Sequence, residues 1–357
     1  MKMRFTVATC ATFGALAAPL AAQDRSDDAF DAPLRNSAGV PKRRDPEISL
    51  RGGVELAYDT NILGLSRKNL RQLEDGSRPE KFRIRRPDDF VTSPWAELRL
   101  KAWTFGDSTT LSLRAQAHFF QGSSLSDYEE FSGRLRQEIG RHELGLEYTF
   151  LNDVYDRERR VLETGLFDSA RFIEHEAELY HRHRIADWIA LRPFAGFRER
   201  DYDAPFDFRD QRGFFGGVRP ELEIVKDWDL FVRLEYALME AVETTGPDVS
   251  YREWRIEPGA ATHLFDNALE ISLRHRIGLR EYTSSQDPTI DPSHVDRRDV
   301  RQRTTFQIRW KISRQTSLEV HYVRILEESN QPFDTGADDE ENDSFRQLFL
   351  VGITFKT

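Results

Sequence analysis

Apolar and polar residues alternate one for one along most of this sequence, in about fourteen stretches between Ile48 and Thr357. The segment from Leu269 to Arg280 shows the pattern most clearly. Its odd positions are Leu269, Ile271, Leu273, His275, Ile277 and Leu279, and its even positions are Glu270, Ser272, Arg274, Arg276, Gly278 and Arg280. Because successive side chains of a strand point to opposite faces, each stretch predicts a strand with one apolar and one charged face.

An apolar sheet face needs a cover, and no helical periodicity in this sequence supplies one. A closed barrel in a membrane solves the problem, because lipid covers the apolar face and an aqueous lumen receives the charged face. We therefore predict an all-β fold, a single closed antiparallel transmembrane β-barrel of about 14 strands within a range of 12 to 16. The predicted strands include 92–104 and 142–153.

The predicted connections alternate between tight turns and longer loops. The tight turns fall at Gly106-Asp107, Arg141, Ala186-Asp187, Lys226-Asp227, Phe265-Asp266 and Arg314-Gln315. The longer loops begin near residues 60, 121, 154, 202, 242, 282 and 328. Short periplasmic turns and long outer loops are typical of bacterial outer-membrane barrels, and an even strand count puts both chain ends in the periplasm.

The N-terminus has the pattern of a secretory signal peptide. Lys2 and Arg4 precede an apolar or small-residue stretch that ends at Leu20-Ala21-Ala22. We predict a signal peptide over 1–22, with cleavage after Ala22 or Gln23, a flexible periplasmic lead over 23–46 and the barrel over 47–357. The predicted location is the outer membrane of a Gram-negative bacterium.

Charge and hydropathy exclude two classes of protein. After the N-terminus no run of 18 apolar residues occurs, so a transmembrane helix is not predicted. The 51 basic and 61 acidic residues are interleaved and leave a net charge of -10. A nucleic-acid-binding protein needs a basic stripe, so nucleic acid is not a predicted partner.

Two short segments resemble a known family. They are Gly52-Gly53-Val54-Glu55-Leu56-Ala57-Tyr58-Asp59-Thr60-Asn61-Ile62 and Asp88-Asp89-Phe90-Val91-Thr92-Ser93-Pro94. Together they resemble the beta-barrel porin 2 type of outer-membrane protein, with Thr60 in place of the usual Ser. The turn Tyr58-Asp59-Thr60-Asn61 also resembles the barrel end of surface-lipoprotein assembly factors. Those proteins carry a helical repeat domain, which this sequence lacks. The first resemblance implies a porin-like role or an association with exopolysaccharide export.

The turn Tyr58-Asp59-Thr60-Asn61 has a physical rationale without any family. Asp and Asn side chains bond their own backbone in turns, and Asn tolerates left-handed conformations. A structural turn at a strand end is the simpler interpretation, and a ligand-binding role is the alternative.

The most distinctive candidate site is the charged lumen. The alternation places these residues among its lining: Arg99, Lys101, Arg114, Arg134, Arg136, Glu147, Glu174, Glu176, Arg192, Arg219, Arg233, Arg255, Arg274, Arg276 and Arg309. One interpretation is structural, because opposite charges on neighbouring strands stabilise a sheet. The other is a conduit for an anionic or sugar-like solute, in which Arg forks bind carboxylate or phosphate.

Segment 60–91 is the longest predicted connection and carries eight basic residues, from Arg67 to Arg86. Three interpretations stay open. It folds inward as a constriction, contacts the phosphates of lipopolysaccharide, or is a solvated loop.

No enzymatic motif is found. Ser, His and acid residues are not grouped as in a hydrolase, and no glycine-rich phosphate loop occurs. His181 and His183 share a strand face but lack a visible third ligand, so neither a metal nor a cofactor is predicted.

The leading functional hypothesis is therefore a porin-like channel or export conduit for a hydrophilic solute, small or polysaccharide. The alternative is a closed adaptor barrel whose loops bind surface polymer or partner proteins. Other predicted partners are outer-membrane lipids, lipopolysaccharide and the barrel-insertion machinery.

Overall fold

A computed structural model describes residues 45–105, 107–161, 164–225, 227–242, 246–289, 291, 293–330 and 343–357. Its strands are β1 (Glu47–Asp59), β2 (Asp89–Thr104), β3 (Asp107–Phe120), β4 (Tyr128–Ile139), β5 (His142–Arg160), β6 (Phe167–Ala186), β7 (Ile189–Tyr202), β8 (Gln211–Val225), β9 (Trp228–Ala241), β10 (Tyr251–Leu264), β11 (Leu269–Tyr282), β12 (Arg298–Lys311), β13 (Thr316–Ser329) and β14 (Ser344–Lys356). The predicted signal peptide and nearly all of the predicted lead lie outside the described residues.

The strands form one closed antiparallel barrel. Each strand pairs with its neighbours in sequence, and β1 pairs with both β2 and β14. The predicted all-β closed barrel of 14 strands is therefore confirmed.

The two ends of the barrel differ in the length of their connections. At one end the strands are joined across 105–106, 140–141, 187–188, 226–227, 265–268 and 312–315. At the other end the connections are longer, and the first, 60–88, contains helix α1 (Arg67–Asp75). The start of β1 and the end of β14 meet at the short-turn end, where Arg51 pairs with Lys356.

The outer surface is an apolar band to which every strand contributes. Exposed large apolar side chains occupy its mid-strand positions: Leu56, Leu98, Leu113, Leu135, Leu146, Leu179, Leu191, Phe214, Leu234, Ile256, Leu273, Phe306, Val320 and Val351. A continuous exposed band of this kind requires an apolar solvent. The barrel therefore has the exterior of a membrane protein.

Aromatic rings mark the short-turn edge of the band. Trp188, Trp228 and Trp310 are all exposed there, as expected for indole rings at a membrane–water boundary. Trp103 differs, because it lies on the inward phase of β2 with the Lys101 ammonium 5.4 Å from its ring. Among the described residues, no helix has the length and apolar character needed to cross a membrane.

β5 is longer than the sequence predicts and continues to Arg160 instead of ending at 153. Its pairing with β6 shifts register between Leu151 and Val154, and Asp153 has a φ of 56°. A bulge of this kind changes which residues face inward, so the alternation is interrupted although the strand continues.

Candidate functional site

The lumen is filled unevenly. Beside β6–β9, arginine, glutamate and aromatic side chains form a packed layer. The Arg192 guanidinium donates to Glu147 at 3.0 Å and to Glu178 at 3.1 Å, and Arg233 donates to Glu178 at 2.8 Å. Arg192 also lies 3.5 Å from the centre of the Tyr180 ring. We call this set of pairs the ion-pair layer.

Glycines make room for the aromatic rings of this layer. A Cβ added at Gly145 would lie 2.1 Å from the Tyr180 ring, so only glycine lets that ring lie flat on the barrel wall. The Tyr180 hydroxyl donates to Glu143 at 2.9 Å. The ring and its ion pairs are therefore fixed in one arrangement, as dense interiors require.

A cavity of about 570 Å³, here the inner cavity, lies beside β1–β5 and β11–β14. It extends from the 312–315 turn as far as Val91 and Tyr128, near the long-loop ends of β2 and β4, and no residue of β6–β10 lines it. Its wall carries ten Arg or Lys residues against four glutamates. The ion-pair layer therefore displaces the open space toward the opposite side of the barrel.

A second cavity of about 210 Å³, here the outer cavity, lies toward the long-loop end. Its wall carries eleven arginines against three carboxylates, Asp156, Glu253 and Glu327. The arginines are Arg157, Arg159, Arg200, Arg209, Arg255, Arg276, Arg280, Arg297, Arg301, Arg303 and Arg346. Guanidinium groups in an enclosed site attract anions strongly, because little solvent screens them.

The two cavities meet at Arg303, Ile325 and Arg346, which line both. We call these three side chains the partition. Arg346 is fixed there by Asp59, whose carboxylate accepts from the Arg346 Nε at 2.8 and 2.9 Å and also from the Arg346 Nη2. Both side chains are almost completely buried, with 3% of Arg346 and none of Asp59 exposed. The pair therefore fixes one side chain of the boundary between the two cavities.

The family-like turn ties the first long loop to the last strand. Thr60 exchanges backbone and side-chain hydrogen bonds with Gln347, and the Asn61 amide donates to the carbonyls of Leu65 and Phe345 at 2.8 and 3.0 Å. The Tyr58 hydroxyl donates to Asp88 at 2.7 Å. These bonds are those of a structural turn at a strand end, and its Asp59 also binds Arg346 of the partition; a ligand-binding role stays a prediction.

The 60–88 loop folds into the barrel mouth, the first of the three interpretations of this segment. Ile62, Leu65 and Ile84 are buried against lumen-side residues that include Phe120 and Tyr155. Helix α1 begins after Ser66, which accepts from the Asn69 backbone N–H at 3.2 Å, and ends at Gly76 in a left-handed conformation. Ile62, Leu63 and Gly64 line the outer cavity. The loop therefore narrows the long-loop end of the lumen.

The residues predicted to line the lumen all lie on inward-facing strand positions, but they fall into four groups. Arg114, Arg134, Glu147, Arg274 and Arg309 line the inner cavity. Arg255 and Arg276 line the outer cavity. Glu174, Glu176, Arg192, Arg219 and Arg233 are paired in the wall of β6–β9, with Arg200, Arg198, Glu178, Glu221 and Glu235 among their partners. Arg99, Lys101 and Arg136 lie nearer the short-turn end and line neither cavity. Contact of any of them with a solute stays a prediction.

Sequence reasoning missed most of the outer cavity. Arg346 follows the same alternation as the predicted residues, at an inward position of β14, but a single arginine in an otherwise apolar strand gives a weak signal. Arg157 lies beyond the bulge, and Arg209 and Arg297 lie in loops, where no periodicity identifies them.

A third histidine joins the pair noted in the sequence. His142 of β5 lies beside His181 and His183, with its Nδ1 atom 3.0 Å from the His181 Nε2 atom. All three are on the outer face of the barrel near the short-turn end. Across the part of the chain that the structure describes, no group of side chains has the arrangement of a metal site.

Asp127, a carboxyl outside the membrane-spanning strands, has a strongly raised pKa. Burial raises the pKa of Asp127, in the loop before β4, to about 6, and the positive charge of Arg171 opposes the increase. Its Oδ1 atom is buried without a hydrogen-bond partner. The carboxyl is therefore held where its charged form is disfavoured.

An apolar exterior around a charged, cavity-containing interior defines a membrane-spanning β-barrel. No protein-family model and no curated protein matches the chain. Membership of the beta-barrel porin 2 type therefore stays a prediction.

Among solved structures, a loop-deletion mutant of OmpT, an outer membrane protein of Vibrio cholerae, has a TM-score of 0.47 at 8% identity, over 87% of this chain and 99% of that one. An anion-selective porin from Comamonas acidovorans has a TM-score of 0.39 at 10% identity, over 88% and 100%. A bacterial polysaccharide outer membrane secretin has a TM-score of 0.42 at 8% identity, over 86% and 98%.

Proposed function

We propose that the protein is an outer-membrane conduit that passes a hydrophilic solute through its lumen. The observation that carries this proposal is the pair of polar cavities, which adjoin in the lumen and share the three partition residues. A barrel that served only as a scaffold would gain stability from a fully packed lumen. Here the ion-pair layer packs the lumen beside β6–β9, while the inner cavity stays open beside β1–β5 and β11–β14 and the outer cavity stays open toward the long-loop end.

The orientation follows from the connections. The short turns and both chain ends would face the periplasm of a Gram-negative bacterium, and the long loops would face outward. The inner cavity would then receive solute from the periplasm, and the outer cavity would open toward the mouth narrowed by the 60–88 loop. Contacts with lipopolysaccharide and the barrel-insertion machinery belong to the same proposal. No catalytic activity is assigned.

The partition favours a small solute over a polymer in this conformation. Arg346, Arg303 and Ile325 separate cavities of about 570 and 210 Å³. An extended polysaccharide would require all three side chains and the 60–88 loop to move together. Export of a polysaccharide, which the family resemblance implies, is therefore the less supported form of the conduit.

Conductance across a planar lipid bilayer tests the proposal. The refolded full chain should give discrete current steps in potassium chloride, because charged side chains line both cavities. A silent protein that still migrates as a folded barrel without heating would refute the conduit. It would favour the second candidate, a closed adaptor barrel, for which the buried Asp59–Arg346 pair and the inward loop are the supporting observations.

A further inference from the structure

The outer cavity carries far more positive than negative charge. Eleven arginines and three carboxylates line it, in a chain whose net charge is -10. The three carboxylates are themselves ion-paired: Asp156 with Arg159, Glu253 with Arg255 and Arg280, and Glu327 with Arg301. Five carboxylates that do not line the cavity also pair with its arginines: Asp59, Glu174, Glu235, Glu257 and Asp299. Eleven arginines against these eight carboxylates still leave an excess of positive charge around one small space.

Carboxylates that do not line the cavity hold some of these arginines from outside. Glu257 accepts from the Arg276 Nε at 2.5 Å, and both oxygens of Asp299 accept from Arg297 at 2.9 Å. A guanidinium group has five N–H donors and no acceptor, so a carboxylate that accepts from one edge fixes the plane of the group. The arginines are thus oriented before any ligand arrives, which lowers the entropy cost of binding.

Tyrosine rings fix the planes of other guanidinium groups. Arg280 lies 3.7 Å from the centre of the Tyr251 ring, and Arg297 lies 4.6 Å from that of Tyr282. The Nε and Nη2 atoms of Arg280 donate to Glu253, and those of Arg297 donate to Asp299. The wall therefore holds several guanidinium groups in fixed orientations around one space.

We propose that the outer cavity binds a small organic anion carrying two or three carboxylates, of the size of citrate. This site deepens, and rests on, the conduit function proposed above, since it names the class of solute. Several separate guanidinium groups fit a ligand with several carboxylates better than one inorganic ion. The volume of about 210 Å³ and the partition beneath it exclude a long chain from this conformation.

Citrate titrated into the detergent-folded full chain, followed by isothermal titration calorimetry, tests the site. Citrate should bind and glucose should not. Arg301→Gln should weaken citrate binding by about tenfold or more, because a charge-assisted contact is lost. Arg298→Gln is the matched control, because Arg298 lies on the same strand but faces outward and is exposed. It should leave citrate affinity within about twofold of the wild type.

Three results would overturn the site. These are no citrate binding by the folded barrel, equal effects of the two substitutions, and sulfate or phosphate bound as tightly as citrate, which would indicate a site for single inorganic anions. Bilayer conductance of the same preparations separates this test from the conduit function. Current steps without citrate binding would reject only the site, and citrate binding without current would reject only the conduit.

Discussion

Asp59→Asn should loosen the partition. The substitution removes the carboxylate that holds Arg346 and leaves a guanidinium group almost completely buried without its partner. Breaking a buried ion pair in this way costs about 3–5 kcal/mol. Because about 1.4 kcal/mol corresponds to a factor of ten, conformations in which Arg346 leaves its place become at least about a hundredfold more populated.

Two measurements follow from that magnitude. Single-channel conductance should rise, because Arg346 lines both cavities and its displacement joins them. The midpoint of guanidinium unfolding in liposomes, followed by tryptophan fluorescence, should fall. The double variant Asp59→Asn with Arg346→Gln should regain much of the stability, because no buried charge is left unpaired.

Glu319→Gln is the matched control for the partition variant. Glu319 accepts from Arg309 at 2.8 Å in the inner cavity, away from the partition, and both side chains are about one-fifth exposed. Glu319→Gln should lower the free energy of unfolding by only about 1 kcal/mol and change conductance little. If Asp59→Asn changes conductance and stability no more than Glu319→Gln does, the assignment of the Asp59–Arg346 pair to the partition is wrong.

Three further outcomes are expected. Because the pKa of Asp127 is raised to about 6, its contribution to the free energy of unfolding should fall as pH rises from about 4 to about 7. Unfolding midpoints measured at both pH values should show this dependence in the wild type and lack it in Asp127→Asn. Gly145→Val should destabilise the barrel by about 1–3 kcal/mol in denaturant titrations, because the valine side chain would overlap the Tyr180 ring. In the control Gly133→Ala, the added methyl group meets only a Leu113 methyl group at 3.4 Å, so stability should be nearly unchanged. Replacing Arg274 and Arg276 together with Ser should lower chloride over potassium permeability, read from reversal potentials in a salt gradient, and an unchanged ratio would show that neither faces the conducting path.

The strands could be predicted from the sequence because a two-residue period survives wherever one face meets lipid and the other meets water. The prediction fails where that condition fails. Asp153, with a φ of 56°, shifts the phase of β5, so the sequence suggests an end where the strand continues. A bulge cannot be recognised from the alternation of apolar and polar residues alone.

The candidate site was less predictable, because its parts are distant in sequence. Asp59 and Arg346 are separated by 287 positions and meet only because β1 and β14 close the barrel. The apolar residues of the 60–88 loop are isolated in a basic segment, and a loop has no period from which an inward fold can be inferred. The signals of helix α1, Ser66 before it and Gly76 after it, are present in the sequence.

Because of the ion-pair layer, substitutions in different parts of the barrel wall should have different effects. Substitutions beside β6–β9 alter side chains that are packed and ion-paired. They should therefore cause misfolding or poor assembly into the membrane. Changes to the partly exposed side chains that line the inner cavity, such as Arg309 and Glu319, alter the boundary of open space. They should leave assembly intact and change what the proposed conduit passes. The residues that line the inner cavity can therefore change in evolution together with the proposed solute, whereas those of the ion-pair layer are constrained by the fold.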